Sequence, residues 1–397
     1  MPDCTRSSGV RCSENKMKIA YVDYYQSGHS PHKDPLTIPV ALQQIGYEVV
    51  LISCNPAFDG IKQLNGLPVL SLEMVEEDGW SSLGFTGVVF ASRLDVRFTP
   101  AVRRIRESGL RLVIKADTDG TWGHPIPPNY LRARPLAEGP INWLRHLKWR
   151  LPIKYWVEKK LEQVRLADAV IVESPAAAVN ATSILLHWGL GSLAQKIRFI
   201  PNPVSPVALS LPLREQRCDR IVTVGRWEDR EVKNTKTMLC VVSQFLNVNK
   251  KFDFEIIGTG LDADEVSEYL WEYIDSGRVK IISELPYLKL QERLGQAKIT
   301  LIPSTLESFC FVAAEALCAG SSIVATPIES LIYLTGGGCW GSIARGFGEE
   351  QILAALICEV EAWERGLKDS DGLSCFSRKR FDPHDIAHQF ANLFGKE

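Results

Sequence analysis

Apolar residues along this chain come in short dense runs, separated by longer stretches in which they recur every three or four positions. Lys18–Tyr24, Val49–Ser53, Gly87–Ala91, Arg111–Ala116, Ala169–Ser174 and Ile197–Pro201 form one series of runs. Arg220–Gly225, Phe254–Gly258, Val279–Ser283, Ile299–Pro303 and Ser322–Thr326 form a second. The runs are apolar nearly throughout rather than alternating, which predicts parallel strands covered on both faces. Helices fill the gaps, giving strand–helix–strand units with right-handed crossovers. Between the two series, Pro201, Pro203, Pro206 and Pro212 disfavour regular structure and mark a hinge or linker.

The expected architecture is therefore α/β, with two Rossmann-like domains facing a cleft. A chain of 397 residues is too long for one ordinary core. The pattern divides it into a lead without assigned fold (1–16), a first domain (17–203), a linker (204–219), a second domain (220–378) and a C-terminal helix (379–397). That helix carries Asp382 as N-cap and Pro383 at its first position, and it is expected to return to the first domain. Met17 directly precedes the first strand and is an alternative start; residues 1–16 lack the apolar core of a signal peptide.

Composition changes this picture little. A hydrophobic fraction of 45%, a charged fraction of 23% and a formal net charge of −2 describe a folded protein with no excess positive charge for nucleic acid. The ten cysteines form no C-x-x-C pair, and no His lies at ligand spacing from a Cys. Neither a structural zinc nor a disulfide framework is expected, and a cytoplasmic setting is. No apolar run is long enough to span a bilayer.

The chemistry concentrates at strand ends of the second domain, where ligands of open parallel sheets bind. After Arg220–Val224 comes GRWEDREVKN, in which Gly225 permits a tight turn and Arg226 and Lys233 lie beside a helix start near Asn234. A guanidinium and an ammonium there suit a diphosphate; the plainer reading pairs them with Glu228 and Asp229 on a surface loop. After Phe254–Ile257, Gly258 and Gly260 bracket Thr259, which alone reads as a tight turn. After Ile299–Pro303 comes STLESFCFVAAEALCAG, expected to be helical from about Ser308 to a C′ glycine at Gly320. Glu315 is its one interior charge, on a segment otherwise apolar all round. A carboxylate there needs donors: a core arginine, or a ligand rich in hydroxyls such as ribose.

Together these segments resemble the retaining, GT-B-type, family-4-like glycosyltransferases of group 1. Glu307 and Glu315 match that family's E-x7-E motif, VGRWEDREVKN its Gly-Arg…Lys loop, IIGTG its Gly-x-Gly turn, and IRFIPNPV its lead into the interdomain linker. The resemblance implies a nucleotide-diphosphate sugar as donor and a hydroxyl acceptor, with no cofactor and no metal. It implies Arg226 and Lys233 on the leaving diphosphate, Glu315 on the ribose, and Glu307 on the donor sugar. Backbone N–H groups of Ser308, Phe309, Cys310 and Phe311 would meet sugar and phosphate oxygens, and Gly225, Gly258, Gly260 and Gly28 would line the donor site. The chain departs from the family pattern at Ser308 and Cys310, which replace two glycines, and at Pro203, which replaces a third.

In the first domain Asp117 and Asp119 make a D-x-D, a pattern that holds Mn²⁺ or Mg²⁺ in the unrelated GT-A fold. The reading preferred here places Asp119 in the cleft facing the acceptor, with an Asx-turn at Gly120 as the alternative. His29 and His124 would line the same side or lie on the surface. Residues 130–165 carry nine Lys/Arg against three Glu, interleaved with Trp143, Trp149 and Trp156. That suits either peripheral contact with an anionic inner membrane face and a lipid-linked acceptor, or a helix packing its tryptophans on the sheet. Two rival functions remain at this stage: a sugar- or nucleotide-binding module without turnover, and a nucleotide-sugar epimerase.

Overall fold

The structure, a computed structural model, describes residues 17–23, 34–55, 61–122 and 153–395. The readings at residues 1–16, Gly28, His29, His124 and 130–152 lie outside these, as do the side chains of 153–157, including Trp156.

The first half runs β1 (Lys18–Asp23), α1 (Asp34–Gln44), β2 (Glu48–Ser53), β3 (Gln63–Leu64), β4 (Leu67–Ser71), α2 (Leu72–Asp78), β5 (Gly87–Ser92), α3 (Thr99–Glu107), β6 (Arg111–Ala116), α4 (Ile153–Leu166), β7 (Ala169–Val172), α5 (Pro175–His187) and β8 (Ile197–Phe199). Among the described residues its sheet is ordered β3-β4-β2-β1-β5-β6-β7-β8, parallel except for the β3–β4 hairpin. Burial explains the apolar runs. Every residue of β5 is buried, and β1, β2 and β6 are buried but for their first residue. Helices on both faces shield these central strands from water.

The second half runs β9 (Cys218–Val224), α7 (Arg230–Lys233), α8 (Thr235–Val248), β10 (Asp253–Ile257), α9 (Ala263–Asp275), β11 (Val279–Ile282), α10 (Tyr287–Gln296), β12 (Ala297–Ile302), α11 (Phe311–Cys318), β13 (Ser322–Ala325), α12 (Glu329–Leu334), β14 (Gly341–Ile343), α13 (Glu349–Glu364), α14 (Ser370–Arg380) and α15 (Pro383–Asn392). Its sheet is ordered β11-β10-β9-β12-β13-β14 and is parallel throughout. That is the dinucleotide-fold order, whose switch point lies between β9 and β12. The loops bearing Lys233 and Glu307 leave the sheet at those two strands.

Two boundaries differ from the sequence expectation. A short helix, α6 (Pro206–Ser210), interrupts the proline-rich linker: Pro206 sits at a first-turn position where its missing N–H costs nothing, and Ser205 Oγ accepts from Val207 N–H. The Glu315 helix starts at Phe311 rather than near Ser308, because Cys310 takes a left-handed backbone conformation (φ 75°) that breaks the helical path.

The chain crosses between domains twice, and the crossings touch: Val204 N–H donates to Phe381 O at 3.0 Å. Beyond Phe381, α15 packs along α1 and places Ile386, Ala387, Phe390, Ala391 and Phe394 in one core with Ile19, Tyr21, Ile38 and Leu42. Asp382 caps α15 through bonds from the N–H groups of His384 and Asp385. Among the described residues no helix is long and apolar enough to cross a membrane.

Candidate functional site

The turn after β9 is built against the turn after β10. Gly225 N–H donates to Ile257 O at 3.0 Å and Trp227 N–H to Thr259 O at 2.7 Å. The Trp227 indole, 1% exposed, donates to Ile257 O at 3.2 Å. Here the glycines are required by contact. A Cβ on Gly258 (φ +129°) would lie 1.8 Å from Gly225 O, and one on Gly260 (φ +85°) 2.4 Å from Glu228 N. Gly258 and Gly260 therefore shape the floor under Gly225.

From that floor the loop presents two cations. Arg226 is 76% exposed and ion-pairs with Asp229 at 3.1 Å, the pairing that the plainer sequence reading anticipates. Lys233, at the end of α7, is mostly buried and bonds Glu307 Oε1 at 2.6 Å. Burial pushes the lysine's pKa down, but the Glu307 carboxylate more than reverses that and holds it above the ordinary lysine value. Because the value is raised, the lysine's share of the stabilisation is present below the ordinary lysine range and is lost as pH climbs beyond it. Arg226 is near enough to oppose the Lys233 charge. Two neighbouring cations thus stand together at the sheet's switch point, each paired with a carboxylate.

Glu307 is fixed from three sides. Lys233 holds Oε1, the Ser304 hydroxyl donates to the same oxygen at 2.7 Å, and the Ser330 hydroxyl donates to the Glu307 carbonyl at 3.0 Å. The two loops are also stitched directly, by Thr305 N–H to Val232 O at 2.8 Å. Ser308 follows on the same turn. Phe309 is 1% exposed, its ring packed edge-on against Phe311 and Phe381, so its side chain belongs to the core.

Glu315 is 6% exposed in the middle of α11. It accepts from the Tyr287 hydroxyl at 2.8 Å. The C-terminal end of α11 is capped by cationic and hydroxyl donors: Arg378 Nε donates to Cys318 O at 3.0 Å, Ser374 to the same carbonyl, and Arg217 to Ala319 O. This locks the rotation of the helix, and with it the direction of Glu315.

In the first domain the D-x-D splits between two partners. Asp117 is held by the fully buried Lys115, which also binds Glu173 at 3.2 Å; Asn202 in the crossing donates to Glu173 at 2.6 Å. Asp119 accepts from the Thr121 N–H and hydroxyl at 3.0 and 2.7 Å, and its carbonyl accepts from Asn180. The side chain of Asp119 is thus engaged in a local Asx-type turn, the alternative weighed above. No cluster of three or more His, Cys, Asp or Glu side chains suited to a metal occurs among the described residues.

The structure thus brings Lys233, Glu307, Ser308 and Cys310 together, with Arg226 on the outer rim and Glu315 one helix turn inward. Sequence reasoning misses three supports: Trp227 under the cation loop, Ser330 under Glu307, and Tyr287 on Glu315. The first two carry no motif, and Tyr287 stands 28 residues from its partner.

Residues 214–337 match the family model of the glycosyl transferases group 1. Sucrose-phosphate synthase from Thermosynechococcus elongatus is similar over 96% of this chain and 98% of its own, at 17% identity and a TM-score of 0.67. HepE from Anabaena, solved with UDP-glucose, is similar over 95% and 98%, at 16% identity and a TM-score of 0.62. WaaG, a glycosyltransferase involved in lipopolysaccharide biosynthesis, is similar over 96% and 100%, at 12% identity and a TM-score of 0.60. No curated protein matches the sequence. The second half of this chain is thus similar to the glycosyl transferases group 1 over residues 214–337, within a two-sheet GT-B fold.

Proposed function

We propose that the protein transfers a hexosyl unit from a nucleoside diphosphate sugar to a hydroxyl acceptor, with retention at the anomeric carbon and without a metal ion. The observation that carries this reading is the Lys233–Glu307 pair, set at the switch point of the second sheet with Arg226 beside it. An ammonium has three donors. One is committed to Glu307, which leaves two for diphosphate oxygens. Arg226 sits in an exposed ion pair with Asp229 that contributes little, so it can exchange that partner for the diphosphate at small cost.

Breaking the anomeric C–O bond places positive charge on the sugar and negative charge on the diphosphate. Fixed cations aimed at the diphosphate stabilise that distribution more than the ground state. Glu307, immobilised by Ser304 and Ser330, is placed to accept from sugar hydroxyls, and Glu315 from the ribose. HepE, with the same fold, is described with UDP-glucose, which makes a uridine sugar the first donor to test. The acceptor would approach from the carboxyl ends of β5 and β6, where Asp117 and Asp119 lie. An acceptor carried on a lipid, with peripheral contact through residues 130–165, fits the basic aromatic composition of that stretch.

The test is release of nucleoside diphosphate from a panel of nucleotide sugars with hydroxyl acceptors, followed by mass spectrometry of the product. Wild type is expected to transfer in the presence of EDTA. Lys233→Ala and Glu307→Ala are expected to stay folded and lose roughly 10²–10³-fold in kcat. Loss of turnover on chelation would return the D-x-D to the mechanism. Isomerised donor with no acceptor present would make the protein an epimerase instead.

A further inference from the structure

We propose that Tyr287 is a positioning residue for the nucleotide carboxylate. It holds Glu315 in register and ties that register to the crossing between the domains. This rests on the reading of Glu315 as the ribose acceptor.

Tyr287 opens α10, directly after Pro286. Its hydroxyl donates to Glu315 Oε1 at 2.8 Å. The Ser205 hydroxyl is a hydrogen-bonding neighbour of the same phenol. Ser205 is buried in the linker, one residue after Val204, whose N–H bonds the second crossing. The short linker helix Pro206–Ser210 packs against both α10 and α11. A relay therefore runs from the domain crossing through Ser205 and Tyr287 to Glu315, with the Tyr287 hydroxyl donating to the carboxylate. Burial and the facing carboxylate raise the phenol's pKa, so it remains a donor at every working pH.

A carboxylate accepts in fixed directions around its two oxygens. By holding Oε1, Tyr287 sets the plane in which Glu315 meets an incoming diol. Two vicinal ribose hydroxyls need that direction to be fixed before they arrive, since an unsupported buried carboxylate turns toward whatever donor it finds. Tyr287 thus sets ribose recognition without touching the ribose.

The experiment is calorimetric titration of the full chain. UDP, GDP and ADP are tested on wild type, and the tightest is carried forward with its 2′-deoxy form to Tyr287→Phe, Glu315→Gln and the double variant. Tyr287→Phe is expected to weaken the ribonucleotide about tenfold and the 2′-deoxynucleotide much less, so that discrimination falls. The double variant is expected to bind no more weakly than Glu315→Gln, because both changes act on one contact. Ribose discrimination that survives Tyr287→Phe but is lost in Glu315→Gln overturns the role of Tyr287 and leaves the donor site standing. Discrimination that survives Glu315→Gln, or no binding of any of the three, removes the ribose reading itself. Should Tyr287→Phe not fold, Ser205→Ala removes the far hydroxyl of the relay. It is expected to lower discrimination in the same direction by a smaller factor, and unchanged discrimination would overturn the relay.

Discussion

Cys310 shows what a single position contributes. The chain needs a left-handed residue between the Glu307 turn and the Glu315 helix, and it places a cysteine there at φ 75°. That conformation is open to glycine and strains any residue with a Cβ, β-branched ones most. Cys310→Gly is therefore expected to keep or raise the urea midpoint, and Cys310→Val to lower stability by roughly 1–3 kcal/mol. Equal midpoints for the two would mean that the turn does not hold this conformation in solution. The thiol lies beside the Lys233–Glu307 pair, and burial pushes its pKa far up, so it is a neutral neighbour and not a nucleophile. The glycines standing here in the family pattern hint at the special backbone, but the residue type itself says nothing of it. Glu307, Glu315 and Lys233 are legible because they are charges in apolar or strand-end contexts. Tyr287 is not, because an aromatic at the start of a helix has many bland uses and its partner is reached only through the fold.

At the scale of elements, the two turns after β9 and β10 act as one object. The 1.8 Å that separates a notional Gly258 Cβ from Gly225 O leaves no room for a side chain, and both neighbours are backbone. Gly258→Ala should cost roughly 1–3 kcal/mol and should displace the Arg226 loop, so nucleotide affinity falls together with stability. A variant that loses affinity at unchanged melting temperature would instead mark a direct ligand contact at Gly258. The strand series is readable in advance because buried parallel strands are apolar on both faces. Strands β3 and β14 are not, since two and three residues carry too little pattern. The Glu315 helix is recognised with its beginning misplaced, for its N-terminal limit is set by one φ angle and not by polarity.

For the whole molecule, the C-terminal helix makes the first domain depend on the end of the chain. Phe390 is fully buried in the core that α1 and β1 share. Phe390→Ala should destabilise by about 3–5 kcal/mol. Hydrogen exchange should then rise in Lys18–Asp23 and Asp34–Gln44, while nucleotide binding by the second domain is retained. Uniform loss of protection across both domains would show that they unfold as one unit.

The bonded crossings at Val204 and Phe381 bear on how the enzyme moves. One linker would let its domains swivel as well as open; a doubled seam admits mainly a book-like closing about a single line. If the halves close about that line, they meet in the same alignment every time, and whatever one page carries is pressed to the same place on the other.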